Sequence, residues 1–264
     1  MLAIVAHAVE DLLRGIRMRR VWMALAAEDI GDQHKRTTLG PLWLLLNYLA
    51  FAGTFIFIFD RGGGGGQGYG VFVATGLLVF FYITEVMTSS VTLFAREESF
   101  IKGTTLPLSV YVMRAALQAM IRAGYALIGC LAILAATGTW PALPWLASVA
   151  GIILILAVTP AVVTCCAFLG VFFPDSQYIV SNLMRVMMFM SPVFWRASDG
   201  MTGLQAAFYY YNPFTWFLDI VRQPIVEGTM PWGAFGLCLG IGAGLWVLAL
   251  VLLGAFRRQV ALVL

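Results

Sequence analysis

About six long apolar runs constrain this sequence more than any other feature. Each run is close to the roughly 20 residues that an α-helix needs to cross about 30 Å of hydrocarbon. Composition agrees, since 61% of the 264 residues are hydrophobic and 11% are charged, whereas soluble domains have about 25% charged residues. The sequence therefore predicts an all-α polytopic membrane protein. The predicted spans are Leu39–Phe59, Gly70–Phe94, Leu108–Thr137, Leu146–Phe173, Ile179–Trp195 and Phe235–Phe256.

The segment 1–38 precedes the predicted transmembrane domain of residues 39–264. Val9, Ile16 and Met23 recur at a spacing of seven, and most of the arginines around them fall off this apolar stripe. An amphipathic helix of this kind suits the bilayer interface, so we predict a cytoplasmic interface segment. The opening MLAIVAHAVEDLLRG has no signal-peptide pattern, so we expect no cleaved leader.

The distribution of basic residues predicts the orientation, because Lys and Arg near span ends are retained in the cytoplasm. With the N-terminus inside, most basic residues are cytoplasmic, and the outer side receives only Arg61, Arg196 and Arg222. We therefore expect both termini to be cytoplasmic, with the glycine loop 62–66 and Ser198–Thr202 outside. This bias also explains the net charge of +3, so no nucleic-acid partner is expected.

The segment 196–232 is too polar for another span and too aromatic for an ordinary loop. Pro213, Pro224 and Pro231 divide it into short pieces. The aromatic residues between 208 and 216 suit an outer membrane interface. We predict short re-entrant helices before the last span, with their ends covered by protein or by a water-filled cavity.

Charged side chains inside spans are costly, so they are the first candidates for a substrate pathway. Arg114 and Arg122 lie two helical turns apart on one face of the third span, and Arg185 lies in the fifth. They are predicted to face an anionic substrate. The alternative is that Arg114 and Arg122 extend to the interface or pair with Glu85 and thereby orient helices.

Along one side of the first predicted span, mostly aromatic residues recur at a spacing of four and form a stripe. Aromatic faces stack on sugar rings, so the stripe is a candidate lining for a glycan channel. Packing against a neighbouring helix is the alternative. The stripe consists of Trp43, Asn47, Phe51, Phe55 and Phe59.

The sequence lacks the motifs expected for energy conversion or catalysis within this chain. A phosphate-binding loop needs Gly-Lys followed by Ser or Thr, but the two lysines, Lys35 and Lys102, follow His34 and Ile101. Both histidines lie in the N-terminal segment, and no G-x-S-x-G elbow occurs. We expect no cofactor in this chain. A membrane-embedded enzyme of lipid-linked glycan assembly and an ion-driven carrier remain alternatives, although neither a catalytic cluster nor an inverted repeat supports them.

Several stretches together resemble the membrane permeases of ABC exporters for cell-surface polysaccharides, such as capsule, O-antigen and teichoic acid. They are HKRTTLGPLW, AREESFIKGTTLPLSVYVMR, FFPDSQYIV, SPVFW and YNPFTWFLDIVRQPIVEG. The resemblance implies a homodimer in the bacterial inner membrane that exports a lipid-linked polysaccharide. It also implies two copies of a separate ATPase subunit, which bind ATP and Mg, and makes periplasmic export components candidate partners.

By the same resemblance, the turn 96–107 contains the helix that couples the permease to its ATPase. Phe100 and Ile101 are predicted to form an apolar knob with charges at its rim. The alternative is a solvated turn whose Phe100 rests in the bilayer interface. The candidate coupling residues are Arg96, Glu97, Glu98, Phe100, Ile101 and Lys102.

Overall fold

The computed structural model describes residues 2–35, 37–61, 68–197 and 202–264. Within them the chain forms helices and no strand, which confirms the predicted all-α fold. The helices are α1 (Leu2–Arg17), α2 (Arg19–His34), α3 (Leu42–Arg61), α4 (Tyr69–Val91), α5 (Leu93–Arg96), α6 (Glu98–Gly103), α7 (Leu108–Ala136), α8 (Trp145–Phe172), α9 (Ser176–Met190), α10 (Leu204–Tyr210), α11 (Pro213–Val226) and α12 (Trp232–Val263).

Five helices of the described chain, α3, α4, α7, α8 and α12, are long and apolar enough to cross a membrane. They correspond to five of the predicted spans. The other predicted span, Ile179–Trp195, corresponds to α9, which has 15 residues. At about 1.5 Å per residue, α9 is about 22 Å long, which is shorter than the hydrocarbon core.

Proline ends α9 before the predicted boundary. The residue before a proline avoids helical conformation, and Ser191, which precedes Pro192, is extended with ψ of 149°. The segment 191–195 then continues without helical structure against α4, where the Tyr69 hydroxyl donates to the carbonyl oxygen of Phe194 at 3.1 Å. Irregular backbone is tolerated at membrane depth when protein covers it in this way.

The N-terminal segment forms two helices, because the chain bends at Met18 between α1 and α2. One side of α1 is fixed to the start of α7. The Ser109 backbone N–H donates to the Asp11 carboxylate at 3.1 Å, and the Ser109 hydroxyl donates to the Asp11 carbonyl at 2.7 Å. Val9 and Ile16 remain exposed, as the predicted role at the bilayer interface requires.

The most buried span is α4, which packs against α3, α7, α8, α9 and α11. Glycines permit the closest backbone approaches around it. A Cβ atom at Gly170 of α8 would overlap the carbonyl oxygen of Val91, and one at Gly151 would overlap that of Ile220. Small residues allow membrane helices to pack at such distances.

The bundle has two ends. We call the end where α1 meets α12 the terminal end, and the end where α8 begins beside α11 the re-entrant end. At the terminal end, the Arg257 guanidinium near the end of α12 donates to the His7 carbonyl of α1 at 3.3 Å. At the re-entrant end, the Ser148 hydroxyl near the start of α8 donates to the Val221 carbonyl at 2.6 Å. The described N- and C-terminal helices thus meet at one end. The glycine loop 62–66 and residues 198–201, which we expect to be outside, lie beyond the described residues.

Two short helices, α10 and α11, lie before the last span, where short re-entrant helices are predicted. Their connecting turn lies near the middle of α4, where the rings of Phe214 and Phe80 are 6.3 Å apart. Asn212 begins α11, since its side chain accepts from the Phe214 N–H at 3.0 Å and donates to the Ser191 hydroxyl at 2.8 Å. Asn212 and Ser191 are both buried, so their polar groups satisfy each other without water.

Candidate functional site

A cavity of about 710 Å³ opens between α3, α4 and α7. Asn47 and Phe51 reach it from α3, Glu85 from α4 and Arg122 from α7. Three predicted substrate-pathway residues therefore meet in one cavity. The other predicted residues lie elsewhere and are Trp43, Phe55, Phe59, Arg114 and Arg185.

An ion pair crosses the wall of this cavity. The Arg122 guanidinium lies 2.8 Å from the Glu85 carboxylate, and their side chains are 17% and 39% exposed. Arg122 also donates to Gln33 of α2 at 3.4 Å, while its buried Nε has no partner among the described residues. Pairing lowers the cost of both charges at membrane depth, and it agrees with the alternative in which Glu85 orients the helices.

The aromatic stripe of α3 divides between the cavity and packing. Phe51 lines the cavity and contacts Phe81 with ring centroids 5.1 Å apart. Phe55 stacks on Phe194 at 4.1 Å with the ring planes 16° apart, which fixes α3 to the irregular segment after α9. Trp43, at the other end of the stripe, is exposed. The packing alternative therefore describes Phe55 better than Phe51.

Arg114 does not line the cavity, because two carboxylates from other elements surround its guanidinium. Nε and Nη2 donate to Asp29 of α2 at 2.6 and 2.7 Å, and Nη1 donates to Glu97 at 2.9 Å. The side chain is 13% exposed. A forked pair of this kind is among the strongest hydrogen-bonded contacts in proteins. Arg185 is exposed on α9.

The predicted coupling turn begins at the last residue of α5, contains α6 and lies at the terminal end. Phe100 on α6 is 56% exposed, whereas Ile101 packs against the core. The apolar knob is therefore Phe100, with Ile101 as its support. Glu98 and Lys102 pair across one helical turn at 2.6 Å, and both side chains are nearly half exposed.

Glu97 does not fit its predicted place as an exposed rim charge, because it is 6% exposed and bonded to Arg114. Arg96 remains outside, 3.7 Å from the Glu97 carboxylate. Adjacent helical residues point to different sides, so burial of Glu97 leaves Glu98 on the surface. The partner of Glu97 is 17 residues away in sequence, and no local pattern indicates it.

A second buried ion pair lies at the re-entrant end, in residues that the sequence did not single out. Arg222, counted above as an outer basic residue, is 4% exposed. It donates to Asp219 at 2.7 Å and to the Pro192 carbonyl, and its guanidinium lies 4.0 Å from the centre of the Phe72 ring. The Tyr209 hydroxyl donates to the other Asp219 oxygen at 3.1 Å. The i, i+3 spacing of Asp219 and Arg222 was the available signal.

The architecture is that of a multi-pass helical membrane protein, with two short helices before the last span and a polar turn at one end. The sequence model of the ABC-2 type transporter family matches residues 20–226, and this chain belongs to that family.

Two relatives from Klebsiella pneumoniae are each described as "O-antigen export system permease protein RfbA". One is 26% identical over 247 residues and the other is 23% identical over 248 residues. In both comparisons the match covers 92% of this chain and 94% of the relative. The expected resemblance to permeases of polysaccharide exporters is confirmed.

Proposed function

We propose that this chain is the non-catalytic permease subunit of an ATP-driven exporter. Its cargo is a lipid-linked polysaccharide, either O-antigen or a capsular polysaccharide, which it moves outward across the bacterial inner membrane. The observation that carries the proposal is the similarity along 92% of the chain to two O-antigen export permeases.

A separate ATPase subunit supplies the energy in this proposal, with ATP and Mg bound to that subunit. These 264 residues contain no Gly-Lys pair of the kind that a phosphate-binding loop requires. The exposed Phe100 on α6 supplies the docking element, because exposed aromatic anchors often dominate interfaces. One ATPase copy binds each permease copy.

The exporter works as a homodimer. Only 11% of the residues in the α3 span are buried within one copy, and its exposed apolar side chains include Leu42, Trp43 and Leu46. A second copy facing α3 covers this surface and encloses a wider passage than one bundle provides. Closed twofold dimers are the commonest symmetric assembly.

The terminal end faces the cytoplasm and the re-entrant end faces outward, where periplasmic export components have access. The excess of basic residues at the terminal end supports this orientation. In a cysteine-free background, an impermeant maleimide added to intact spheroplasts should label Thr202→Cys at once. Gly103→Cys should be labelled only after permeabilisation. The reverse pattern excludes the orientation.

The proposed function is tested by deleting the gene and then restoring the wild-type copy. Deletion should abolish surface polysaccharide and leave the lipid-linked form inside the cell. The wild-type gene should restore export. An ATPase subunit should co-purify with the permease in a one-to-one ratio. Normal surface polysaccharide after deletion, or export by purified protein without ATP, rejects the proposal. Export without ATP favours the carrier.

A further inference from the structure

Two groups of polar contacts, linked by one turn of α2, lie between the proposed ATPase-docking turn and the cavity. Glu97 directly precedes α6 and bonds to Arg114, which also grips Asp29 of α2. One helical turn further along α2, Gln33 accepts from Arg122 at 3.4 Å, and Arg122 pairs with Glu85 in the cavity wall. We call these six residues the relay.

The relay follows the register of two packed helices. Asp29 and Gln33 are four residues apart on α2, and Arg114 and Arg122 are eight apart on α7. Residues at these spacings share a helix face, so α2 and α7 meet along one polar seam. Gln118, midway between the two arginines, also donates to Asp29.

We infer that Arg114 is a positioning residue that makes the docking turn and α2 move as one unit, so that a shift of the turn reaches the cavity ion pair. The inference rests on the proposed function. It assigns the relay a task beyond holding the fold together.

The geometry of Arg114 gives the physical reason. Its planar fork engages both Asp29 oxygens while a third N–H holds Glu97. Glu97 and Arg114 are largely removed from solvent, at 8% and 13% side-chain exposure. Water therefore cannot easily replace either partner when the turn moves. The turn and α2 follow each other because separating them leaves a buried charge unpaired.

A neighbouring ion pair provides a matched control. Glu98 has the same side chain and follows Glu97 directly, but it pairs with Lys102 inside α6 and lies at the surface. Glu98→Gln removes one acidic charge from the same turn without touching α2 or α7. Glu97→Gln keeps the side-chain shape and removes the charge that Arg114 holds.

The experiment measures ATPase binding, ATP hydrolysis and export per ATP hydrolysed in proteoliposomes that contain the permease with its ATPase. Glu97→Gln should bind the ATPase like wild type, because Phe100 is untouched. Export per ATP should fall about fivefold or more, the lower range of coupling between distant sites. Asp29→Asn, at the other side of Arg114, should have the same effect. Glu98→Gln removes an exposed rim charge of the docking turn, so it should change ATPase binding by no more than about fivefold. Each assembled complex should keep the wild-type ratio, because Glu98 contacts neither Arg114 nor α2.

A second readout follows the cavity directly. Thr54 lines it on α3, so Thr54→Cys in a cysteine-free background reports its accessibility. Addition of the ATPase with a non-hydrolysable nucleotide should change the labelling rate in wild type and in Glu98→Gln. The change should be absent in Glu97→Gln and Asp29→Asn.

The outcomes separate the relay from a merely structural role and from failure of the proposed function. If Glu97→Gln and Asp29→Asn lower only the yield of assembled complex, and each complex keeps its export ratio and labelling change, the inference is wrong. Equal losses in Glu98→Gln also overturn it. Absence of ATP-dependent export in the wild type rejects the proposed function itself.

Discussion

The two buried arginine networks, one at each end of the bundle, solve different problems. Arg222 pairs with Asp219 three residues away on α11, in a site that is almost fully closed. Arg114 pairs with Asp29 and Glu97, which are 85 and 17 residues away and lie on separate elements. The carboxylate that neutralises Arg222 thus comes from its own helix, whereas the two carboxylates that neutralise Arg114 join α2 to the docking turn.

The environments also differ. Arg222 is held by a carboxylate, a backbone carbonyl and the Phe72 ring, so its charge is compensated on all sides. Arg114 lies at the edge of an open cleft of about 240 Å³, and Asp29 is 25% exposed. We therefore expect the re-entrant network to contribute mainly stability and the relay mainly communication.

The largest effect is expected for Arg222→Leu, which leaves Asp219 buried and unpaired. Loss of one partner of a buried pair costs about 3 to 5 kcal/mol, so the detergent-solubilised protein should unfold at a much lower temperature. Asp219→Leu together with Arg222→Leu should recover part of the loss, because no lone charge remains. If the double variant loses as much stability as the Asp219→Leu and Arg222→Leu variants lose in sum, the pair is not the source of the stability.

A smaller loss is expected for Arg114→Ala, because water reaches part of this site. Hydrogen bonds to charged groups contribute about 1.5 to 3 kcal/mol, and Glu97 loses such a bond. Arg96→Ala is the control, since Arg96 is exposed beside the same carboxylate. The unfolding temperature of Arg222→Leu should be the lowest of the three variants, that of Arg114→Ala intermediate and that of Arg96→Ala the highest. The reverse order of the first two variants would break the comparison between the two networks.

The next prediction concerns the docking turn to which the relay is fixed. Phe100→Ala should weaken ATPase binding by about 2 kcal/mol or more, as is usual for a central apolar anchor. Glu98→Ala should change it by less than about 1 kcal/mol, because the pair with Lys102 is exposed. Binding can be measured by titrating the ATPase onto immobilised permease. Equal affinities in the two variants would leave Phe100 at the bilayer interface with no part in docking.

The smallest effect tests whether the re-entrant network extends to α3. Phe194 follows Pro192, whose carbonyl accepts from Arg222, and it stacks on Phe55. Phe55→Ala should lower stability by about 1 kcal/mol beyond the loss of buried area, the usual contribution of an aromatic pair. The same stacking contribution should be absent in the Arg222→Leu background if Arg222 positions Phe194. A double-mutant cycle on thermal unfolding measures this coupling.

Phe51→Ala tests the part of the α3 stripe that lines the cavity. Phe51 lines the cavity, so its truncation should impair export more than Phe55→Ala does, relative to the stability that each variant loses. An unchanged rate of polysaccharide export in folded Phe51→Ala would remove the α3 stripe from the substrate pathway.

The contrast between Phe51 and Phe55 shows where sequence reasoning ends. The spacing of four correctly placed these rings along one side of α3, but a helical period does not identify which neighbour covers each turn. Phe194 reaches Phe55 only because Pro192 ends α9 and the chain then lies against α4. The 15-residue length of α9 has the same cause, which the apolar run at 179–195 concealed.

The charged residues show the limit more clearly. Arg114 and Arg122 share a helix face in the sequence, yet one pairs with Asp29 and Glu97 and the other with Glu85. Asp29 lies in a segment that appears only amphipathic in the sequence. Asp219 is inconspicuous in the sequence, because it lies in a 14-residue helix within a stretch divided by prolines.

The sequence by itself determined that this chain is a helical membrane protein, about where its spans lie, and that residues 196–232 form short helices and not another span. These properties depend on bilayer thickness, local apolar content and the backbone limits of proline, all of which act over neighbouring residues. Only the tertiary structure decided how Arg114 and Arg122 are paired, because their contacts with Asp29, Glu97 and Glu85 join elements that are separated in sequence. Such pairing depends on distances of a few ångströms between elements, which a local pattern does not specify.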